Sequence, residues 1–256
     1  GGISFLLAVL ITSLIYAPHY PKVIPILFMT VGFGIVGFLD DFIKVVLHRS
    51  EGLTPGQKMA GQLVVTAVFA YYMVKISDVG LTLKVPFFPN ISLNPGWLSI
   101  PLLFFVVIGT VNGTNFTDGL DGLASSVTVI VAVFFSVVAL GTGTGIAPVT
   151  LAVAGGLLGF LLFNVYPASV FMGDTGSLAL GGFVASVAYM LNMPLFLLLV
   201  GLIYMVEVLS VIIQVTYFKA THGKRFFKMA PIHHHFEKCG WYETRVVTVF
   251  SIIEAF

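Results

Sequence analysis

Nine apolar stretches follow one another along this chain with only short polar segments between them: residues 3–16, 23–39, 59–76, 98–111, 123–140, 147–165, 178–191, 195–218 and 245–256. An α-helix needs roughly 20 apolar residues to cross a hydrocarbon layer of ~30 Å, and most of these stretches approach that length. Charged residues make up only 9% of the chain and hydrophobic ones 58%, with a mean hydropathy of +1.04, against roughly 25% charged in soluble domains. The sequence therefore predicts an all-α, polytopic integral membrane protein with nine visible transmembrane helices. No linker, low-complexity tract or repeat of solenoid period interrupts the pattern, so residues 1–256 read as a single membrane-embedded domain.

Between the third and fourth stretches, DVGLTLKVPFFPNISLNPGW alternates Leu81, Leu83 and Val85 among proline and asparagine breakers, which predicts a short surface hairpin. Parity then sorts the connections. If every stretch spans, segments 40–58, 112–122, 166–177 and 219–244 share one face, and 17–22, 77–97, 141–146 and 192–194 share the other. The first face carries Lys44, Arg49, Lys58, Lys219, Lys224, Arg225, Lys228 and Lys238, with Arg245 at its edge; the second carries Lys22 and Lys84, with Lys75 at its edge. By the positive-inside rule the first face is cytoplasmic and the hairpin lies outside. The net charge of +1 and the scattered basic residues give no footprint for nucleic acid. Lone Cys239 excludes an internal disulfide. No signal peptide is visible, and Gly1-Gly2 runs straight into apolar sequence, so the chain is expected to begin inside a longer protein.

The chemistry-bearing residues collect on the same face as the basic ones. Asp40-Asp41 ends an apolar stretch, with Lys44 one helical turn beyond Asp40. Its bland reading is an interfacial cap with an ion pair, and its functional one is a carboxylate pair that raises one pKa or holds a hard cation. In NGTNFTDGLDGLASS, Asn115, Asp118 and Asp121 recur every third residue, a spacing that puts them on one helix face, while glycines such as Gly119 admit a ligand close to the backbone. A calcium loop would require a glutamate that is absent, and the plain alternative is that Asp118 or Asp121 caps the next span. Asp174, in MGDTGS before another span, is either an N-cap or a metal carboxylate beside a phosphate-receiving helix start. Asn164 and Phe171 offer a hydrogen-bonding edge and a stacking ring for a planar base, or ordinary interfacial packing.

Three consecutive histidines, His233, His234 and His235, cannot all point one way on a helix, which argues against the paired zinc geometry of HExxH. Phosphate or general-acid contacts suit them better, with Lys224, Arg225 and Lys228 close by. Glu207, Ser210 and Gln214 share a face inside the eighth stretch, and an intramembrane glutamate is either functional or a bonded structural group. GTGTG at 141–145 has no lysine or strand context and reads as a turn. The triplets at Asn90, Asn112 and Asn115 fit a glycosylation pattern that arises often by chance.

Together GFLDDFIK, NGTNFTDGLDGLASS, FNVYPASVFMGDTGSLALGG and KMAPIHHHFEKCGW resemble the polyprenyl-phosphate hexosamine-1-phosphate transferases, in order and over essentially the whole chain. The resemblance implies ten spans, of which the nine stretches match the second to the tenth, together with a magnesium ion, Mg2+, and a homodimer in the bacterial cytoplasmic (inner) membrane. It implies transfer of phospho-MurNAc-pentapeptide from UDP-MurNAc-pentapeptide to undecaprenyl phosphate, with the active site facing the cytoplasm. Asp174 would then be the metal ligand and a catalytic residue with Asp40, Asp41 and His233. Lys44, Lys58, Asn115, Asp118, Gly119, Leu120, Asp121, Asn164, Phe171, Gln214, His234 and His235 would bind substrate. The family's lysine-bearing glycine loop is represented only by Gly1-Gly2, so its first helix and that lysine are expected to be missing. The competing functions are a UDP-GlcNAc transferase of the same superfamily and a proton-coupled transporter, whose charges would sit near the midplane, where only Glu207 does.

Overall fold

All nine apolar stretches are helical in the computed structural model, which describes residues 1–46 and 52–256; Arg49, part of the charge argument above, lies outside the described residues. In chain order come α1 (Gly2–Tyr16), α2 (Val23–Val46), α3 (Pro55–Lys75), the strands β1 (Leu83–Val85) and β2 (Phe88–Leu93), and α4 (Ser99–Thr117). There follow α5 (Leu123–Thr142), α6 (Ala147–Asn164), α7 (Gly173–Met190), α8 (Leu197–Val200), α9 (Leu202–Ala220), α10 (Ile232–Lys238) and α11 (Glu243–Ala255). Val23–Val46, Gly96–Thr117, Leu123–Thr142, Ala147–Asn164 and Leu202–Ala220 are long and apolar enough to cross a membrane by length and composition. Large apolar side chains such as Ile15, Val137, Leu162 and Ile212 stay exposed on their outer faces. That inversion of the soluble pattern is what a lipid environment permits, and the chain is an all-α polytopic membrane protein.

The centre of the bundle is α7, whose residues from Thr175 to Met190 are all buried, packed chiefly against α2 and α4. Small residues permit the approach. Added side-chain carbons at Gly37, Gly181 and Gly182 would collide with Asp174, with Val111 and Thr114, and with Phe33 and Met29, respectively. In a bilayer, where burying apolar surface gives helices little reason to associate, this close van der Waals packing holds them together. It also sets the end of α2, with Asp40 and Asp41, against the start of α7, with Asp174. Buried hydroxyls satisfy themselves locally: Thr30, Thr66, Thr117, Thr128 and Ser136 each donate to the carbonyl four residues back.

The eighth stretch is not one helix. A 3-10 turn at Pro194–Phe196 leads into α8, and the chain breaks at Gly201 before α9 begins. The new helix start needs acceptors for its free N–H groups, and Glu254 of α11 supplies one, accepting from Ile203 N at 3.0 Å. The hairpin forms as the alternation predicts, pairing Leu83 with Leu93 and Lys84 with Ser92.

The connections sort as parity predicts. At one end Lys22 pairs with Asp78 at 3.0 Å, Lys84 N donates to Asn192 O at 2.8 Å, and Tyr20 and Gly145 line one cavity. Segments carrying Asp40, Asp118, Asp174 and the histidines gather at the other end.

Candidate active site

Four helices build the site around Asp174. Its Oδ1 accepts from Asn115 Nδ2 of α4 at 2.8 Å, and its Oδ2 lies 3.1 Å from Lys44 of α2 and 3.0 Å from Lys58 of α3. Asn115 also donates to Ser177 at 2.9 Å, which ties α4 to the first turn of α7. Lys58 stands where it does because α3 starts with a capping box. Thr54 Oγ1 accepts from Gln57 N, Gln57 Oε1 accepts from Thr54 N, and Pro55 occupies the first turn.

Asp40 is buried, with 2% of its surface exposed. Its Oδ1 accepts from Leu53 N at 2.7 Å and its Oδ2 meets Lys44 at 2.5 Å, so the spacing of four residues does yield an ion pair. Asp41 takes a role that no local spacing announces. Its Oδ1 accepts from Asp174 N at 3.2 Å, and its Oδ2 from Thr175 N at 2.9 Å and Thr175 Oγ1 at 2.6 Å. A carboxylate on α2 thus caps α7, satisfying free donors at its positive end. Asp174 itself sits in the first turn of α7 and makes no capping bond.

Asp40, Asp41 and Asp174 each bring a carboxylate oxygen within 4.8 Å of the others. An all-oxygen donor set suits a hard divalent cation. Both Asp41 oxygens are held by donors at the start of α7, whereas Asp40 Oδ2 and Asp174 Oδ2 meet only lysine ammonium groups, so these two are the oxygens a cation would take in exchange for lysine contacts. Mg2+ typically takes one or two carboxylates. A cavity of about 510 Å³ opens beside them, lined by Asp40, Lys44, Lys58, Gln62, Asn112 and Asn115 among others.

The 118–121 loop departs from the single helix face suggested by its spacing. The helix ends at Thr117, and Gly122, at φ 77°, turns the chain into α5. Neither aspartate caps α5. Asp121 Oδ2 accepts from Ala168 N at 2.8 Å, while Asp121 N donates to Glu243 of α11 at 2.6 Å. Leu120 is buried beneath the loop and Gly119 is exposed. Burial, reinforced by the negative charges of Asp174, Asp41 and Asp121, pushes the Asp118 carboxyl well above the usual carboxylate range.

Asn164 does not reach the cleft with its amide. Its Oδ1 accepts from Ser125 at 2.7 Å and its Nδ2 donates to Val170 O at 3.0 Å, which pins the loop after α6. Phe171, on that loop, is exposed. Gln214 likewise clamps a neighbouring segment, accepting from Phe226 N and Phe227 N and donating to Phe227 O.

The histidines point three ways from α10. Buried His233 places Nδ1 3.1 Å from Glu207 Oε1, His234 places Nδ1 2.6 Å from Glu237, and His235 Nδ1 accepts from Lys228 N at 3.1 Å. Glu207 is therefore a bonded anchor of the histidine helix. This is the bonded alternative of the two its sequence position offers, supplied by a partner 26 residues away. Nothing in the sequence singles out Glu243 or Gln62, and Thr175 and Ser177 stand there only as neighbours of Asp174, since each is an ordinary helix residue until the packing brings its partner.

A family model described as glycosyl transferase family 4 matches residues 23–192. A phospho-N-acetylmuramoyl-pentapeptide-transferase from Acetivibrio thermocellus is 52% identical, over 99% of this chain and 77% of its own length. Proteins of the same name from Clostridium perfringens and Clostridioides difficile are 51% and 50% identical, each over 99% of this chain and 79% of their own lengths. The chain belongs to glycosyl transferase family 4 and, within it, to the phospho-N-acetylmuramoyl-pentapeptide-transferases.

Proposed function

We propose that this protein transfers phospho-MurNAc-pentapeptide from UDP-MurNAc-pentapeptide to undecaprenyl phosphate, giving lipid I and UMP, at the cytoplasmic face of the bacterial inner membrane. One observation carries the reading: an oxygen-only carboxylate cluster, flanked by Lys44 and Lys58, sits beside a cavity at one rim of an apolar bundle. Both substrates are anionic, so the lysines offset phosphate repulsion. Asp40 and Asp174 would hold Mg2+, which when bound neutralises diphosphate oxygens and orients them. The charge of Lys44, Lys58, Lys219, Lys224, Arg225, Lys228 and Lys238 on this rim supports the cytoplasmic orientation. Exposed Phe171 offers a stacking surface for the base, and the 118–121 loop, tied through Asp121 to Ala168 on the same connection, offers backbone and carboxyl groups.

The geometry favours direct attack by the lipid phosphate. Both oxygens of Asp41 are committed to the start of α7, and Asp40 is held by Lys44 and Leu53, so neither carboxylate is presented as a free nucleophile. A phosphate monoester with a second pKa of about 6 is already ionised at neutral pH, and positioning with charge stabilisation supplies most of phosphoryl-transfer catalysis. Asp41 then serves to hold the cluster together through the start of α7.

The test is turnover of the purified protein with undecaprenyl phosphate and either UDP-MurNAc-pentapeptide or UDP-GlcNAc, with Mg2+ or with chelator. Mg2+-dependent lipid product and UMP from the MurNAc donor alone are expected; product from UDP-GlcNAc alone would replace the donor assignment. Exchange of labelled UMP into the UDP sugar in lipid-free enzyme would instead establish a covalent intermediate and overturn direct attack.

A further inference from the structure

Glu207 lies inside α9 with no exposed surface, and its two oxygens divide between two donors on the histidine helix. Oε2 accepts from Ile232 N at 3.0 Å, and Oε1 lies 3.1 Å from His233 Nδ1. A backbone N–H can only donate, and a carboxylate oxygen can only accept. Nδ1 therefore carries the ring proton, and in the neutral imidazole the lone pair is on Nε2. That nitrogen is buried and has no partner among the described residues. It faces Gly119 so closely that a side-chain carbon there would strike the ring. A buried polar atom without a partner is costly, and this one is aimed at the backbone of the 118–121 loop, next to the carboxylate cluster.

We propose that Glu207 is a positioning residue for the transfer reaction: it holds His233 in the Nδ1–H tautomer and so presents Nε2, as an acceptor, to the Asp118–Asp121 loop that borders the carboxylate cluster. The inference rests on the transfer function inferred above. A glutamate is required because it alone, among side chains of this length, accepts from both donors at once. Glutamine must either turn its NH2 toward Ile232 N–H, donor against donor, or turn it toward Nδ1. The second arrangement makes Nδ1 an acceptor and moves the ring proton to Nε2. A contact that served folding alone would have no such dependence on which ring nitrogen is protonated.

The test is a mutant cycle on the full protein in detergent or nanodiscs. Glu207→Gln should lower kcat by roughly 10- to 100-fold, by analogy with the loss when the partner orienting a metal-bound histidine is removed. KM for the UDP substrate and for the lipid phosphate should move by less than about twofold, since no substrate contact is lost. Glu207→Asp, which keeps both acceptors, should recover part of the rate. In a His233→Asn background, Glu207→Gln should cost less than about twofold, because it acts only through the ring. Unchanged kcat in the single variant, or losses that multiply in the double, would overturn the proposal. Nitrogen NMR of 15N-histidine-labelled wild-type protein tests it without any variant at position 207. An Nδ1–H signal for His233, assigned by its loss in His233→Asn, is expected, and an Nε2–H tautomer would overturn the assignment even if Glu207→Gln fails to fold or His233→Asn is inactive. Wild-type protein that turns over none of the proposed substrates sinks the transfer reading instead, and the tautomer measurement still stands by itself.

Discussion

The two ends of the bundle both carry charged residues on their connections, yet these polar groups are organised differently. At the cleft end, Asp174 joins α7 to α2, α3 and α4 through Lys44, Lys58 and Asn115, while Asp41 caps α7 and Glu243 reaches the 118–121 loop. At the opposite end, the Lys22–Asp78 pair lies open to solvent, where Lys22 lowers the Asp78 carboxyl below its usual range. The difference is one of dielectric and constraint. Half-buried charges interact strongly with each other and must be held by the packing, whereas an exposed pair is screened and loses side-chain freedom for little return. Polar groups concentrated where water is restricted are what makes this end the candidate active site.

Breaking the cleft network should have the largest effects. Asp174→Asn should reduce Mg2+-dependent turnover by roughly a thousandfold or more, since one oxygen of the proposed metal set is lost along with its charge. The melting temperature should change less than in Asp41→Asn, because Asp174 makes no capping bond and asparagine keeps an oxygen for Lys44 and Lys58. Near-normal turnover at ordinary Mg2+ would remove it from the metal set.

Asp41→Asn should show the converse balance. It replaces an acceptor with an NH2 group that faces a donor at the start of α7, at a cost of about 1–2 kcal/mol. Thermal unfolding followed by tryptophan fluorescence should therefore show a larger loss of stability than in Asp174→Asn, with turnover reduced through displacement of Asp174. Equal melting temperatures in the two variants would mean that the cap contributes nothing.

Asp118→Asn sharpens the contrast through pH. Because the folded carboxyl sits well above its ordinary range, the unfolded chain ionises first as pH rises. Stability is then lost from about pH 4, the unfolded carboxylate value, upward toward the folded one. Asparagine carries no such penalty. Wild type should lose stability relative to Asp118→Asn between pH 5 and pH 8, measured by melting at each pH in ligand-free protein; a constant difference would show that the carboxyl is not raised.

The smallest effect belongs to the opposite end. Lys22→Ala should leave both the melting temperature and turnover unchanged within error. A clear loss of activity would mean that the two ends are coupled along the bundle.

Much of this arrangement is legible in the sequence, and the parts that are not share a cause. The helical character of the nine apolar stretches, the hairpin and the segregation of loops follow from apolar run length, alternation and charge, all of which are local or additive properties. The Asp40–Lys44 pair is legible for the same reason, being one helical turn apart. The break at Gly201 is not, because an unbroken apolar run looks the same whether or not a helix inside it restarts. Asn115, Asp118 and Asp121 mislead in the same way: their spacing assumes a helix that stops at Thr117, before two of the three.

The sequence alone determined that the chain is a membrane-embedded helical bundle in which Asp40, Asp41, Asp118, Asp121, Asp174, the three clustered histidines and most of the lysines share one rim. Tertiary structure decided what each of them does there. Asp41 caps a helix 133 residues away, Asn164 and Gln214 bind loops rather than open space, and Glu207 orients His233 from within the membrane. The reason is physical: hydrophobic burial is read from composition and period, but a hydrogen bond depends on where a partner's donor or acceptor lies to within a few tenths of an ångström. That distance is set by how closely glycines let α2, α4 and α7 approach, a property of the packed bundle rather than of any one segment.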